Sequence, residues 1–317
     1  MGARRDEFAE AGARERRALV REIDAAGVLT DPAWRAAFAE VPRHLFVPYH
    51  YVPGTAGYER LWCGDPDPVR RERWLRGAYA DTAIATRVRD GELVSSASQP
   101  SLMALMLQAL DVRDGQDVLE IGAGTGYHAA LLCHRLGERH VTTVDLDEEI
   151  TESARTHLAA AGYRPAVLVA DGARGCPEHA PYDRIVATCA LPSVPRAWLA
   201  QCRSGALVLA PLSTGLLLLR VRDATHAEGR FLPTPAYFVP LRGVAARTPR
   251  HGPAGDSLFH FFRDLVDATL DRGEALSLWL SERRPGRERF GVTLSGDRQW
   301  AWLDDPSGPY AWPLPDA

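Results

Sequence analysis

The run Val118-Leu-Glu-Ile-Gly-Ala-Gly-Thr-Gly-Tyr127 constrains this chain more than any other stretch. A short apolar strand, Val118 to Ile121, runs into glycines at 122, 124 and 126, and an amphipathic run from His128 to Leu136 begins at once on the far side. Strand, tight turn and helix in that order form the nucleotide-binding unit of an open α/β sheet. Glycine suits the turn because a Cβ would forbid its backbone angles and hold a ligand away from the main chain. The spacing is E-x-G-x-G-x-G, with Glu120 closing the strand, and not the G-x-G-x-x-G that aims a helix at a pyrophosphate. An acidic strand end suits a cation better than a phosphate.

Later strands point the same way. Val141-Thr-Thr-Val-Asp145 is a second short strand, ending in an acid nineteen residues past Gly126, where such folds place a carboxylate for both ribose hydroxyls. Ala166 to Ala170 leads into Asp171-Gly172, which suits an adenine amino group, and Tyr182 to Ala187 is a fourth strand. Strands that finish in acids at one edge predict a ligand at that edge. S-adenosylmethionine fits, since it carries a sulfonium and an ammonium group and no phosphate. The glycines alone are also what a tight αβ turn without a ligand would need.

The 317 residues suffice for one large α/β domain and a smaller appendage. A net charge of −4 gives no electrostatic reason to expect nucleic acid or an anionic membrane. The five cysteines, at 63, 133, 176, 189 and 202, lack any C-x-x-C or zinc spacing and read as reduced thiols, with no metal and a cytoplasmic location expected. Residues 1 to 17 alternate Arg and Glu without the apolar core of a signal peptide, and no stretch approaches the ~18 apolar residues of a membrane span. All 37 basic residues are arginine, and asparagine is absent too. Pyridoxal Schiff bases, P-loops and Cys-His-Asn triads are therefore excluded, and no G-x-S-x-G elbow is present.

Along the chain, Arg17 to Ala26 and the segment from Asp31-Pro32 to Val41 read as amphipathic helices, and 50 to 77 as a Pro- and Gly-rich surface loop. Thr82 to Val88 is a strand candidate, and Ser95-Ser-Ala-Ser-Gln-Pro-Ser101 opens a helix whose cap needs fewer hydroxyls than the segment offers. Leu216 to Val221 predicts an antiparallel strand, and Tyr237 to Gly243 a last strand that Pro233, Pro235 and Pro240 would keep near an edge. Thr248 to Asp256 has linker composition. Beyond it, helices from Ser257 and Glu274 precede a β-hairpin, Arg289 to Leu294 and Gln299 to Leu303. The division expected is an N-terminal segment 1–90, a methyltransferase domain 91–247, and an extension 248–317 that recognises substrate.

The run Val41-Pro-Arg-His-Leu-Phe-Val-Pro48, Tyr79-x-Asp81, Ser98-Gln-Pro100, the glycine loop, Ala180-Pro-Tyr-Asp183 and Phe238-Val-Pro-Leu-x-Gly243 resemble the protein-L-isoaspartate (D-aspartate) O-methyltransferase family, in family order over about residues 18 to 245. The resemblance implies a class I S-adenosylmethionine-dependent methyltransferase, Rossmann-like α/β with a mostly parallel sheet and helices on both faces, here with a small C-terminal α+β extension. Carried over by position, Glu120, Gly122, Ala123, Gly124, Thr125, Gly126, Tyr127, Asp145, Leu146, Asp171 and Gly172 would hold the cofactor. Ser98 would meet the substrate carboxylate, with Tyr79, Asp81, Ser95, Ser96, Gln99 and Ser101 beside it.

The serine-rich segment, the long 50 to 77 stretch and the C-terminal extension depart from the compact repair enzymes. They resemble the subfamily that acts on ribosomally made peptides: lanthipeptides, lasso peptides and graspetides. The expected reaction is then esterification of one Asp in a modified, cyclised precursor peptide by a monomeric enzyme, leading to a succinimide and isoaspartate. General isoaspartate repair, a transferase for small molecules and a cofactor-retaining binding protein stay open as alternatives.

Overall fold

The computed structural model describes residues 6–54, 57–89, 92–243 and 257–315. The linker expected at 248 to 256 lies outside them. By contacts the chain forms two compact units, one of residues 1–115, 123–141 and 147–167, the other of residues 116–122, 142–146 and 168–317.

The first unit is mostly helical. Helices α1 (Ala9–Ala25) and α2 (Pro32–Glu40) precede a four-stranded antiparallel sheet of β1 (Tyr49–Gly54), β2 (Gly57–Trp62), β3 (Ile84–Arg89) and β4 (Glu92–Ala97), in the order β2-β1-β3-β4. Helix α3 (Pro68–Ala78) lies between β2 and β3 in the chain, and α4 (Pro100–Ala109), α5 (Tyr127–Leu136) and α6 (Glu148–Ala160) complete the unit. The stretch expected as a surface loop is thus a hairpin and a helix. Asp67 accepts from the Val69 amide and Pro68 opens α3, the same cap and first-turn proline that start α2 at Asp31-Pro32. Trp74 anchors α3, with its indole N–H on the Val47 carbonyl at 2.8 Å and its ring edge-on to Phe8.

The second unit carries a ten-stranded sheet in the order β14-β13-β12-β11-β10-β9-β8-β5-β6-β7. Its strands are β5 (Val118–Ile121), β6 (Val141–Asp145), β7 (Ala166–Val169), β8 (Tyr182–Ala187), β9 (Cys202–Leu212), β10 (Gly215–Asp223), β11 (His226–Pro235), β12 (Phe290–Ser295), β13 (Arg298–Leu303) and β14 (Ala311–Pro313), with helices α7 (Arg196–Leu199), α8 (Ser257–Val266) and α9 (Arg272–Ser281). β5 and β9 both run parallel to β8, and from β9 to β14 every neighbour is antiparallel, so the sheet is mixed. Strand β5 is buried throughout, the pattern of a strand covered on both faces.

The stretch 237 to 243, expected as a strand, forms only an isolated bridge from Pro240 to Ala190, and the strand β11 that precedes it pairs on both sides. Its prolines are tolerated because β12 pairs only with His226 to Arg230, so Pro233 and Pro235 need donate nothing on that side. The C-terminal hairpin forms as expected and continues the sheet. Phe290 and Trp302 are buried, packed on Phe261 and Phe262 or under Arg230, so they cover the sheet and are not exposed anchors for a peptide. Among the described residues no helix is long and apolar enough to cross a membrane.

Candidate active site

In the first unit the serine segment is fixed from two sides. Asp81 accepts from the Ser101 amide at 2.8 Å and from the Gln99 side chain at 3.4 Å, so it serves as the missing N-cap of α4, whose own N-cap residue Gln99 makes no side-chain cap. Gln99 also donates to the Ser101 hydroxyl at 3.0 Å. Opposite Asp81, the buried Arg43 donates through Nη2 to the Ser98 carbonyl at 3.1 Å and through Nε to the Ala78 carbonyl at 2.7 Å. Ser98 itself is half-buried, and among the described residues its hydroxyl has no partner. Capping therefore does not explain Ser98.

Two residues expected to contact substrate are occupied elsewhere. Tyr79 is buried with its hydroxyl 2.7 Å from Nδ1 of His44, whose Nε2 reaches Asp6 at 2.9 Å. Burial pushes the phenol up to about 12 and the imidazole down. Asp81 is committed to the helix start, so it supports the serine segment from within, while Tyr79 is spent on His44. Ser95 is buried and accepts from Thr86 at 3.4 Å, and the Ser96 carbonyl lies near Gly124.

The glycine loop ends as its sequence predicts. Gly126 is the N-cap of α5 with φ +85°, and a Cβ there would stand 3.2 Å from the Ala154 carbonyl. The carbonyl of Thr125 accepts from Nδ1 of His157 at 3.0 Å, which fixes the tautomer of a ring that burial keeps neutral by lowering its pKa. A pocket opens here, lined by Phe46, Tyr49, Thr86, Ser95, Gly124, Thr125 and His157. Tyr127 does not face it. Its ring is buried against Phe46 and Phe38, with the Arg43 guanidinium 5.1 Å from its centroid, so only its backbone is left for a ligand.

In the second unit the strand ends carry the expected acids. Glu120 is fully buried and accepts from Thr143 at 2.6 Å, so it braces β5 against β6. Asp145, at the end of β6, is only 7 % exposed and accepts from Arg242 at 2.5 Å. Arg242 occupies the variable position of the Phe238-to-Gly243 motif, which gave no reason to expect it here. Leu146 beside Asp145 is exposed. Asp171 caps a short turn through the Ala173 amide at 3.0 Å, and the Gly172 carbonyl accepts from the Trp198 indole at 2.8 Å. Gly172 is needed because a Cβ would stand 2.6 Å from Ile121. Thr188 closes the other side, donating to the Gly122 carbonyl at 2.7 Å. Cys189 is buried and its thiol is pushed up to about 12 by desolvation, so it is a small apolar filler and not a nucleophile.

Two carboxylates at neighbouring strand ends beside glycine backbone fit an adenosyl group, one for a ribose and one for an adenine amino group. Residues 67–242 match the family described as Protein-L-isoaspartate(D-aspartate) O-methyltransferase (PCMT). A protein-L-isoaspartate O-methyltransferase of Hyperthermus butylicus is 34% identical over 243 residues, 72% of this chain and 88% of its own length. One from Methanosarcina mazei is 34% identical over 232 residues, 72% of this chain and 83% of its own. A solved protein-L-isoaspartate O-methyltransferase superposes with a TM-score of 0.63 at 21% identity, over 94% of this chain and 98% of that one. A beta-aspartate methyltransferase (PCMT) structure from Plasmodium falciparum, in complex with S-adenosyl-L-homocysteine, gives 0.54 at 12% identity over 71% and 97%.

Proposed function

The chain belongs to the protein-L-isoaspartate(D-aspartate) O-methyltransferase family, and from that premise we propose that it esterifies the free carboxylate of isoaspartyl residues in polypeptides, with Ser98 meeting that carboxylate. It is an S-adenosylmethionine-dependent carboxyl O-methyltransferase. The observation that carries the substrate reading is the unpartnered Ser98 hydroxyl on a segment held rigid by Arg43 and Asp81.

When bound, S-adenosylmethionine supplies a methyl group on a sulfonium sulfur. In this reading Asp145 takes the ribose hydroxyls and Asp171 the adenine amino group, with Glu120, Gly122, Leu146 and Gly172 beside them in the second unit. A carboxylate with a pKa near ~4 is already ionised at neutral pH, so the protein has to orient it and needs no base. Ser98 would donate to one carboxylate oxygen and leave the other to attack.

Ser98→Ala should lower kcat/KM on an isoaspartyl peptide by roughly tenfold while leaving S-adenosylhomocysteine affinity unchanged, because a charge-assisted hydrogen bond of about 1.5 kcal/mol is lost from the substrate alone. A variant that merely melts earlier, with unaltered kinetics, would return Ser98 to a structural role.

A second reading, esterification of one Asp in a ribosomally made, cyclised peptide, draws on the β1–β2 hairpin. Tyr58 and Trp62 there are 64% and 39% exposed, and Arg60 stacks over Tyr49 and Trp62. An enzyme that must single out one ordinary Asp needs such contacts away from the carboxylate. The C-terminal extension no longer favours that reading, since a solved family structure covers 94% of this chain, too much to leave the extension without a counterpart. Competition decides between them. Given a linear isoaspartyl peptide and a cyclised precursor peptide together, the enzyme should add a methyl to the linear one faster, with methanol lost later. Faster methylation of the cyclised peptide would install the second reading.

A further inference from the structure

Arg43 is the most deeply buried cation of the first unit, with none of its surface exposed. It sits in the short 310 turn Arg43–Leu45, between the two prolines of the Val41-to-Pro48 run. Nε and Nη2 are spent on the Ala78 and Ser98 carbonyls, and the guanidinium stands over the Tyr127 ring. Nη1 is buried with no hydrogen-bond partner, and among the described residues no carboxylate lies within ion-pair distance of this side chain. A guanidinium stays protonated in a protein, so this is a permanent buried charge without a contact ion pair, and the Asp81 carboxylate acts on it only from beyond ion-pair distance. Such a group is costly unless an anion offsets it.

The residue it grips is Ser98, the one serine of the segment whose carbonyl is held by a charge while its hydroxyl is left over. We propose that Arg43 is a positioning residue for carboxylate methylation: it fixes the Ser98 turn and supplies the positive charge that offsets the substrate carboxylate as that group leaves water. The proposal rests on the reading that Ser98 meets the carboxylate. It adds a specificity that a hydroxyl alone lacks, because Ser98 could donate equally to a carboxylate or to an amide, whereas a buried cation favours only the anion. Arg43 stands in an apolar, proline-bounded run whose local sequence does not mark a cation as functional.

The test compares an isoaspartyl peptide with the same peptide bearing a primary amide in place of the free carboxylate, both measured as ligands of the enzyme saturated with S-adenosylhomocysteine. Native enzyme should prefer the carboxylate by roughly tenfold or more, and Arg43→Gln should bring the two affinities to within about twofold while S-adenosylhomocysteine affinity holds. Arg43→Lys, which keeps the charge and loses the forked geometry, should bind both peptides less well and keep the preference. Equal losses for carboxylate and amide in Arg43→Gln would reduce Arg43 to a scaffold and overturn the proposal. If Arg43→Gln does not fold, Arg43→Lys decides, since collapse of the preference in that charged variant overturns it equally. Ser98→Ala in the same assay separates the two ideas: unchanged carboxylate affinity there sinks the Ser98 reading, whatever the Arg43 variants show.

Discussion

Asp145→Ala is expected to weaken S-adenosylhomocysteine binding by about ten- to over a hundredfold, read by calorimetry. The carboxylate closes β6, is nearly buried, and would accept hydrogen bonds from two ribose hydroxyls. Bonds to a charged acceptor contribute about 1.5 to 3 kcal/mol, and each ~1.4 kcal/mol is tenfold in affinity. Arg242 bears on the size of the effect. It already donates to Asp145, so any part of that contact given up on binding offsets the gain and moves the loss toward the lower end. The substitution also strips Arg242 of this partner, which would show as a lower melting temperature. Calorimetry with unchanged affinity would remove Asp145 from the cofactor site.

Gly229→Ala should lower the melting temperature by roughly 6 °C or more, the largest stability effect expected of any single methyl in the sheet. Gly229 lies in β11 opposite Leu219 of β10 and Val292 of β12. A Cβ there would fall 1.9 Å from the Leu218 carbonyl oxygen, which is backbone and cannot swing aside. Overpacking costs about 1 to 3 kcal/mol and sometimes more, and a contact with main chain on a doubly paired strand belongs at the top of that range. For a chain of this size each kcal/mol is worth roughly 2 to 4 °C. Four strands separate β11 from β6 in the sheet order, so cofactor affinity well below the transition should be untouched. Thermal melts and calorimetry on one preparation test both halves, and an unmoved melting temperature would mean that β10 and β11 part without cost.

The parts of this molecule legible in the sequence are those governed by short-range rules. Val118 to Tyr127 specifies strand, turn and helix because positive φ at Gly122 and Gly126 leaves few other residues possible. The C-terminal hairpin follows from alternation around Ser-Gly-Asp. Asp67-Pro68 carried the same helix-start signal as Asp31-Pro32 but was hidden in a stretch dense with prolines and charges. What the sequence could not show were partners set by tertiary distance. Asp81 was visible as an acid, yet its role as a cap for a helix 20 positions away in the chain depends on the fold. Arg242 meets Asp145 across 97 positions, and Arg43 meets Ser98 across 55. Tyr127 was misplaced for a related reason: its position in the motif is right, while its ring points into a core assembled from Phe38 and Phe46.

The pairing of β12 on β11 has a bearing on how this protein can be handled. Along His226 to Arg230, the edge of β11 that faces away from β10 is paired by β12, whose residues all come after position 289. A chain shortened to the length of compact relatives would present those amides and carbonyls to solvent, next to Ala227 and Phe231, which are apolar and lose their shelter. An open strand edge of that kind is a template for another chain. The terminal segment is thus a guard against sheet-to-sheet association, and a trimmed enzyme would aggregate before it could reveal anything about which peptides it prefers.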